Sequence, residues 1–107
     1  MSYSLSKQLP PNDSRQEIWQ KQREERGFDN TELWNLDRTI ARFIAPRLRV
    51  FMEAPHVKAD LEYYNDLNTV LKTFELLEKE ENYSSEVYEE IHKGIKLFSE
   101  IYPTLWY

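Results

Sequence analysis

A chain of 107 residues with net charge −5 and no cysteine is sized for one domain and excludes disulfides and thiolate zinc sites. Hydrophobic residues make up 40% and charged residues 31%, enough to bury a core, and no apolar run approaches the roughly 20 residues of a membrane span. The acidic balance sets general nucleic-acid binding at a disadvantage, and no cofactor motif such as a glycine-rich phosphate loop is present.

With only two glycines, Gly27 and Gly94, and no sustained two-residue alternation, the sequence predicts an all-α protein. The expected architecture is a small antiparallel bundle of three main helices plus a short N-terminal one. Residues 1–13 are expected to form a flexible arm, because Pro10 and Pro11 block regular structure. The bundle is expected to occupy 14–107. The start of the chain lacks the apolar stretch of a secretory signal, so the expected compartment is the cytoplasm.

Ser14 and Glu17 have capping-box spacing ahead of a first helix over 15–26, and Gly27 is its natural stop. Ile18 and Trp19 are its only large apolar residues, so it must dock through Trp19. Asp29 or Asn30 caps a second helix expected to run to about residue 52. Leu33, Leu36, Ile40, Phe43, Ile44, Leu48 and Phe51 recur at helical steps and are its expected buried face. Pro46 predicts a kink without a full break, and Pro55 is expected to close the segment.

The third helix is expected over 58–80, with Leu61, Tyr64, Leu67, Val70, Leu71, Phe74 and Leu77 inward. Ser84 or Ser85 caps a fourth, which runs to about residue 102 with Val87, Tyr88, Ile91, Ile95, Phe98 and Ile101 inward. Gly94 weakens that helix, and a close helix crossing is the expected reason for it. Pro103 ends it before an aromatic tail of Leu105, Trp106 and Tyr107. Three helices cannot hide all of Trp19, Trp34, Trp106, Tyr3, Tyr102 and Tyr107, so surplus aromatic surface predicts a homo-oligomer or another protein interface.

Catalytic chemistry finds little footing. No serine sits in a nucleophile-elbow setting. Glu89 and His92 share one helical face, but a di-iron bundle needs two such motifs, so no metal site is expected. Glu75, Glu78, Glu81, Glu86 and Glu89 suggest a magnesium-dependent nucleotide pyrophosphohydrolase only if a second acidic pair faces them, and the spacing of Asp60, Glu62 and Asp66 is wrong for it. The chain therefore reads as no enzyme. The arginines of the second helix are the better prospect. Trp34, Arg38, Arg42, Arg47 and Arg49 present a ring and planar donor forks suited to a phosphorylated ligand such as a nucleotide. The competing expectation is that these arginines pair with the acidic third and fourth helices. Asp37 has no i+4 cation and is expected to meet a basic group or a backbone donor of another helix or another chain, by default in a structural ion pair.

The segment from Gly27 to Phe51 resembles a family of small phage and prophage proteins. The likeness lies in a block G-F-x-x-x-x-x-W-N-L-D-x-T-I-A-x-F-I-x-P-R-L-x-x-F, matched here by Phe28, Trp34, Asn35, Leu36, Asp37, Thr39, Ile40, Ala41, Phe43, Ile44, Pro46, Arg47 and Leu48 between the ends just named. Gly94, Leu97, Phe98, Tyr102, Leu105 and Trp106 match that family's G-x-x-L-F-x-x-x-Y-x-x-L-W ending. No activity comes with the resemblance, so it assigns no functional residue. It implies a non-catalytic protein of the infected host cytoplasm that binds a host or anti-phage defence component. The partner surface would be sought at Trp34, Asp37, Arg38, Arg42, Arg47, Arg49 and Trp106. The alternative it leaves is a nucleotide-signal sponge.

Overall fold

A computed structural model of the chain describes residues 5–7, 9–79 and 82–106. Among them the regular structure is entirely helical. The five α-helices are α1 (Gln16–Arg26), α2 (Leu36–Phe51), α3 (Pro55–Lys58), α4 (Leu61–Lys79) and α5 (Ser85–Ile101). Two 3₁₀ turns, Asn30–Leu33 and Tyr102–Thr104, complete the set. Packing divides the chain into two compact units, residues 1–40 and 41–107, with the boundary inside α2.

In the first unit, α1 begins at Gln16 without a side-chain bond from Arg15. Asp13 braces the turn ahead of the helix: its carboxylate accepts from the Arg15 amide at 2.9 Å and grips the Arg15 guanidinium at 3.0 Å. Ser14 and Glu17 therefore do not form the expected box. Gly27 ends α1 in the left-handed region at φ +86, returning its amide to the Arg23 carbonyl.

The second helix departs from its expected start. Asp29 and Glu32 do form a reciprocal capping box, but it opens only a 3₁₀ turn. The chain then extends at Trp34 and turns through Asn35 at φ +52. Asparagine is among the few residues that enter this region readily, because its short amide bonds locally. The Asn35 carbonyl then receives the amides of Arg38 and Thr39, which starts α2. From there α2 passes through Pro46 without interruption.

The second unit is built on a core of Ala41, Ala45, Leu48, Met52, Ala54, Val57, Leu67, Val70, Leu71, Phe74 and Ile101. The face that α2 buries is only partly the expected one: Leu48 is inside as expected, but most of the bulky stripe is not. Ala41, Ala45, Leu48 and Met52 are inside, whereas Leu33, Leu36, Ile40 and Phe43 are each about half exposed. Ile44 and Phe51 lie at the margin of the core. The bulky stripe and the alanine stripe are neighbouring helical faces.

Helix α2 ends at Phe51, ahead of Pro55 as expected, but Pro55 also opens a further helix. It occupies the first turn of α3, where the missing N–H costs nothing and φ is already set. Asp60 then caps α4, accepting from the Tyr63 amide at 3.1 Å. The expected third helix is α4, which begins at Leu61 instead of Lys58 because the short α3 precedes it, and its expected end at Glu80 lies outside the described residues. Leu67, Val70, Leu71 and Phe74 are buried as expected, while Leu61 is 71% exposed. Ser84 caps α5 by accepting from the Val87 amide at 3.3 Å. Ile91 and Ile101 turn inward, whereas Tyr88 and Ile95 face solvent.

Helices α4 and α5 pack on each other. Gly94 marks the closest point. A β-carbon there would stand 1.8 Å from Thr73 Oγ1, far inside contact distance, so only glycine permits this crossing. Across the same interface Phe74 meets Phe98 edge-on at 5.1 Å.

Candidate functional site

The most exposed large aromatic residue among those described is Trp106, at 71%. It does not hang from a free tail. Pro103 stops α5 and sets the 3₁₀ turn Tyr102–Thr104. Thr104 Oγ1 donates to the Ile101 carbonyl at 2.5 Å, and the Tyr63 hydroxyl of α4 donates to the Thr104 carbonyl at 3.1 Å. Leu105 packs against the core. These contacts fix the backbone from which the indole projects. Its ring lies over His56 of α3, with centroids 6.3 Å apart and planes 16° off parallel. His56 meets Phe51 edge-on at 6.2 Å. Nearby along the chain, Tyr102 is 65% exposed and rests edge-on against Phe98 at 5.7 Å. The second unit therefore presents Trp106 supported on His56, and Tyr102 as a second exposed ring.

The other expected site residues fall into separate settings. In the first unit, Trp34 is 40% exposed and meets the buried Trp19 edge-on at 6.0 Å. The Arg15 guanidinium stands 4.9 Å from the Trp19 ring and 5.8 Å from the Trp34 ring. Trp19 is buried, as the docking of α1 requires. Lys7 donates through Nζ to the carbonyls of Thr31 and Trp34, each at 2.9 Å. Asp37 lies exposed in the first turn of α2, where helix N-termini favour negative charge. It makes no ion pair with a described residue of its own chain. Arg38 is half-buried.

In the second unit Arg42 is half-buried. Arg47 stands over the Phe43 ring at 3.9 Å and donates to the Phe43 carbonyl at 2.8 Å. Arg49 pairs with Glu75 of α4 at 2.9 Å. Arg47 and Arg49 are thus engaged with separate groups of their own unit. Pairing between an α2 arginine and an acidic helix, the competing expectation, is realised at Arg49. Of the glutamates weighed for magnesium, Glu75 is held by Arg49, Glu86 and Glu89 are exposed, and Glu81 lies outside the described residues. Tyr3 and Tyr107 also lie outside them. Among the described residues, no group of three or more histidines, cysteines or carboxylates is gathered for a metal.

One polar centre escaped the sequence reading. Asp29 is fully buried, yet its carboxylate accepts from the Ser6 hydroxyl at 2.6 Å, the Thr31 amide at 2.9 Å, the Thr31 hydroxyl and the Arg23 guanidinium. Burial alone pushes this carboxyl up. The bonds from Ser6, Thr31 and Arg23 together outweigh that effect and hold it below the usual carboxylate range. The Lys7 amide adds a bond to Thr31 Oγ1 at 2.9 Å, so residues 6 and 7 of the expected arm are tied to the turn. A capping signal was legible at Asp29, but its distant partners were not. Among the described residues, no buried side-chain polar atom lacks a hydrogen-bond partner, so Asp29 is a structural knot with nothing left over for a ligand. No family model matches the chain, and neither a curated protein nor a solved structure is significantly similar to it.

Proposed function

We propose that the chain is a small non-catalytic binding protein whose contact surface is the aromatic platform of Trp106, His56 and Tyr102. The observation that carries this reading is Trp106: a tryptophan 71% exposed on a backbone held by Tyr63 and Leu105. Exposing so large an apolar ring serves no folding purpose, and tryptophan and tyrosine are the residues that most often dominate protein–protein contacts. A pre-fixed ring also loses little conformational freedom on docking. In this reading α2, α4 and α5 form the antiparallel bundle that carries the platform. The resemblance of the chain to small phage proteins makes a host or anti-phage defence protein of the cytoplasm the partner to test first. Self-association through the same platform is the other use of it.

The nucleotide-sponge reading through Trp34 and the α2 arginines has less support, because Arg47 is spent on Phe43 and Arg49 on Glu75. The test compares immobilised wild-type chain with Trp106→Ala and Tyr102→Ala in capture from host extract. A host protein retained by the wild type and lost by Trp106→Ala is the expected result. Identical capture profiles, together with a wild-type mass of 13.0 kDa by light scattering at every concentration, would overturn the reading.

A further inference from the structure

The crossing of α4 and α5 leaves a groove of about 460 Å³ on the second unit. That volume lies in the range of about 300–1,000 Å³ typical of small-ligand sites. Its existence follows from the packing: Gly94 contributes no side chain, and Thr73 beside it is buried and turned to the Thr69 carbonyl at 3.1 Å. Lys72 stands on the α4 wall and Lys93 on the α5 wall, with Leu76 and Glu90 completing the rim.

The charges are the unusual feature. Neither Lys72 nor Lys93 forms an ion pair with a described residue. Glu75, three residues beyond Lys72, is committed to Arg49 at 2.9 Å. In a chain of net charge −5, two lysines thus line one groove, and among the described residues Glu90 is the only carboxylate that lines it with them. Two cations on one small concavity favour an anion between them, and lysine is a point-charge partner for phosphate. Leu76 offers apolar surface for a ring, and Glu90 offers an acceptor for an amino or hydroxyl group.

We propose that this groove binds a small phosphorylated molecule of nucleotide size, its phosphate held between Lys72 and Lys93. Glu90 sets the orientation, since it repels the phosphate and accepts from the other end of the ligand. The site is separate from the aromatic platform, so either stands if the other falls.

The test is a titration of the full chain with AMP, inorganic phosphate and adenosine, followed by the amide resonances of Thr69, Thr73 and Gly94. Saturable shifts with AMP are expected. Lys72→Gln combined with Lys93→Gln should weaken binding at least tenfold with an unchanged helical spectrum, because both lysines are exposed. Lys93→Gln alone should give an intermediate loss. Adenosine binding as tightly as AMP would overturn the role of the phosphate. Inorganic phosphate binding as tightly as AMP would overturn the nucleotide-sized ligand. An absence of shifts with both AMP and phosphate would overturn the site itself.

Discussion

Asp29 shows how much one buried side chain organises. It draws together residue 6, residue 23 and residue 31, which no local pattern connects. Its carboxyl is held below its ordinary value, so it contributes stability above the unfolded-state pKa. That contribution is lost as pH falls through the lower, folded-state value. Asp29→Asn should therefore destabilise the first unit by about 1–3 kcal/mol at neutral pH. It should also flatten the acid limb of a stability–pH curve followed by the fluorescence of the buried Trp19. At Gly94 the argument is steric. Gly94→Ala places a β-carbon 1.8 Å from Thr73 Oγ1, and backbone must move to admit it. A loss of about 1–3 kcal/mol in denaturant melts is expected, despite the better helix propensity of alanine.

At the scale of the element, α2 carries the most instructive contrast. Its bulky residues Ile40 and Phe43 are 51% and 46% exposed, whereas Ala41 and Ala45 are fully buried. Ile40→Ser should cost less than about 1 kcal/mol, because little burial is lost. Leu67→Ala on α4, with no exposure at all, should cost about 2–5 kcal/mol. Equal losses in urea melts would show that the bulky face of α2 is covered after all. The break before α2 rests on one backbone angle. Asn35→Gly keeps the positive φ at no steric cost and should be neutral within about 0.5 kcal/mol, while Asn35→Val should destabilise by about 1–2 kcal/mol.

For the whole molecule, charge is unevenly shared. By sequence, residues 1–40 hold six lysines and arginines against seven acidic residues, and residues 41–107 hold eight against twelve. The acidic half also carries the two features proposed to bind: the aromatic platform and the lysine groove. Trp106→Ala should leave the melting temperature within about 2–3 °C of the wild type, since the ring is mostly exposed. A larger fall in a thermal melt would make Trp106 a folding residue and remove it from the platform.

The sequence by itself determined the helical class, a cap at Asp29 or Asn30 and another at Ser84 or Ser85, the stop at Gly27 and the close crossing at Gly94. Each of these follows from interactions within a few residues or from a lone glycine inside an apolar period. Trp106 was legible as surplus aromatic surface, though its seat on His56 was not. Only the tertiary structure decided which face of α2 goes inside, that Pro55 begins a helix, and where the chain turns at Asn35 and Asp60. Helical periodicity marks two adjacent apolar stripes on α2 without choosing between them. The choice depends on what faces the helix: Ala41, Ala45, Leu48 and Met52 join one cluster with Val57, Leu67, Val70 and Phe74, residues far along the chain that no pattern within α2 specifies. The knot around Asp29 and the pairing of Lys72 with Lys93 in one groove have the same origin. They join residues distant in sequence, and only packing brings them within reach.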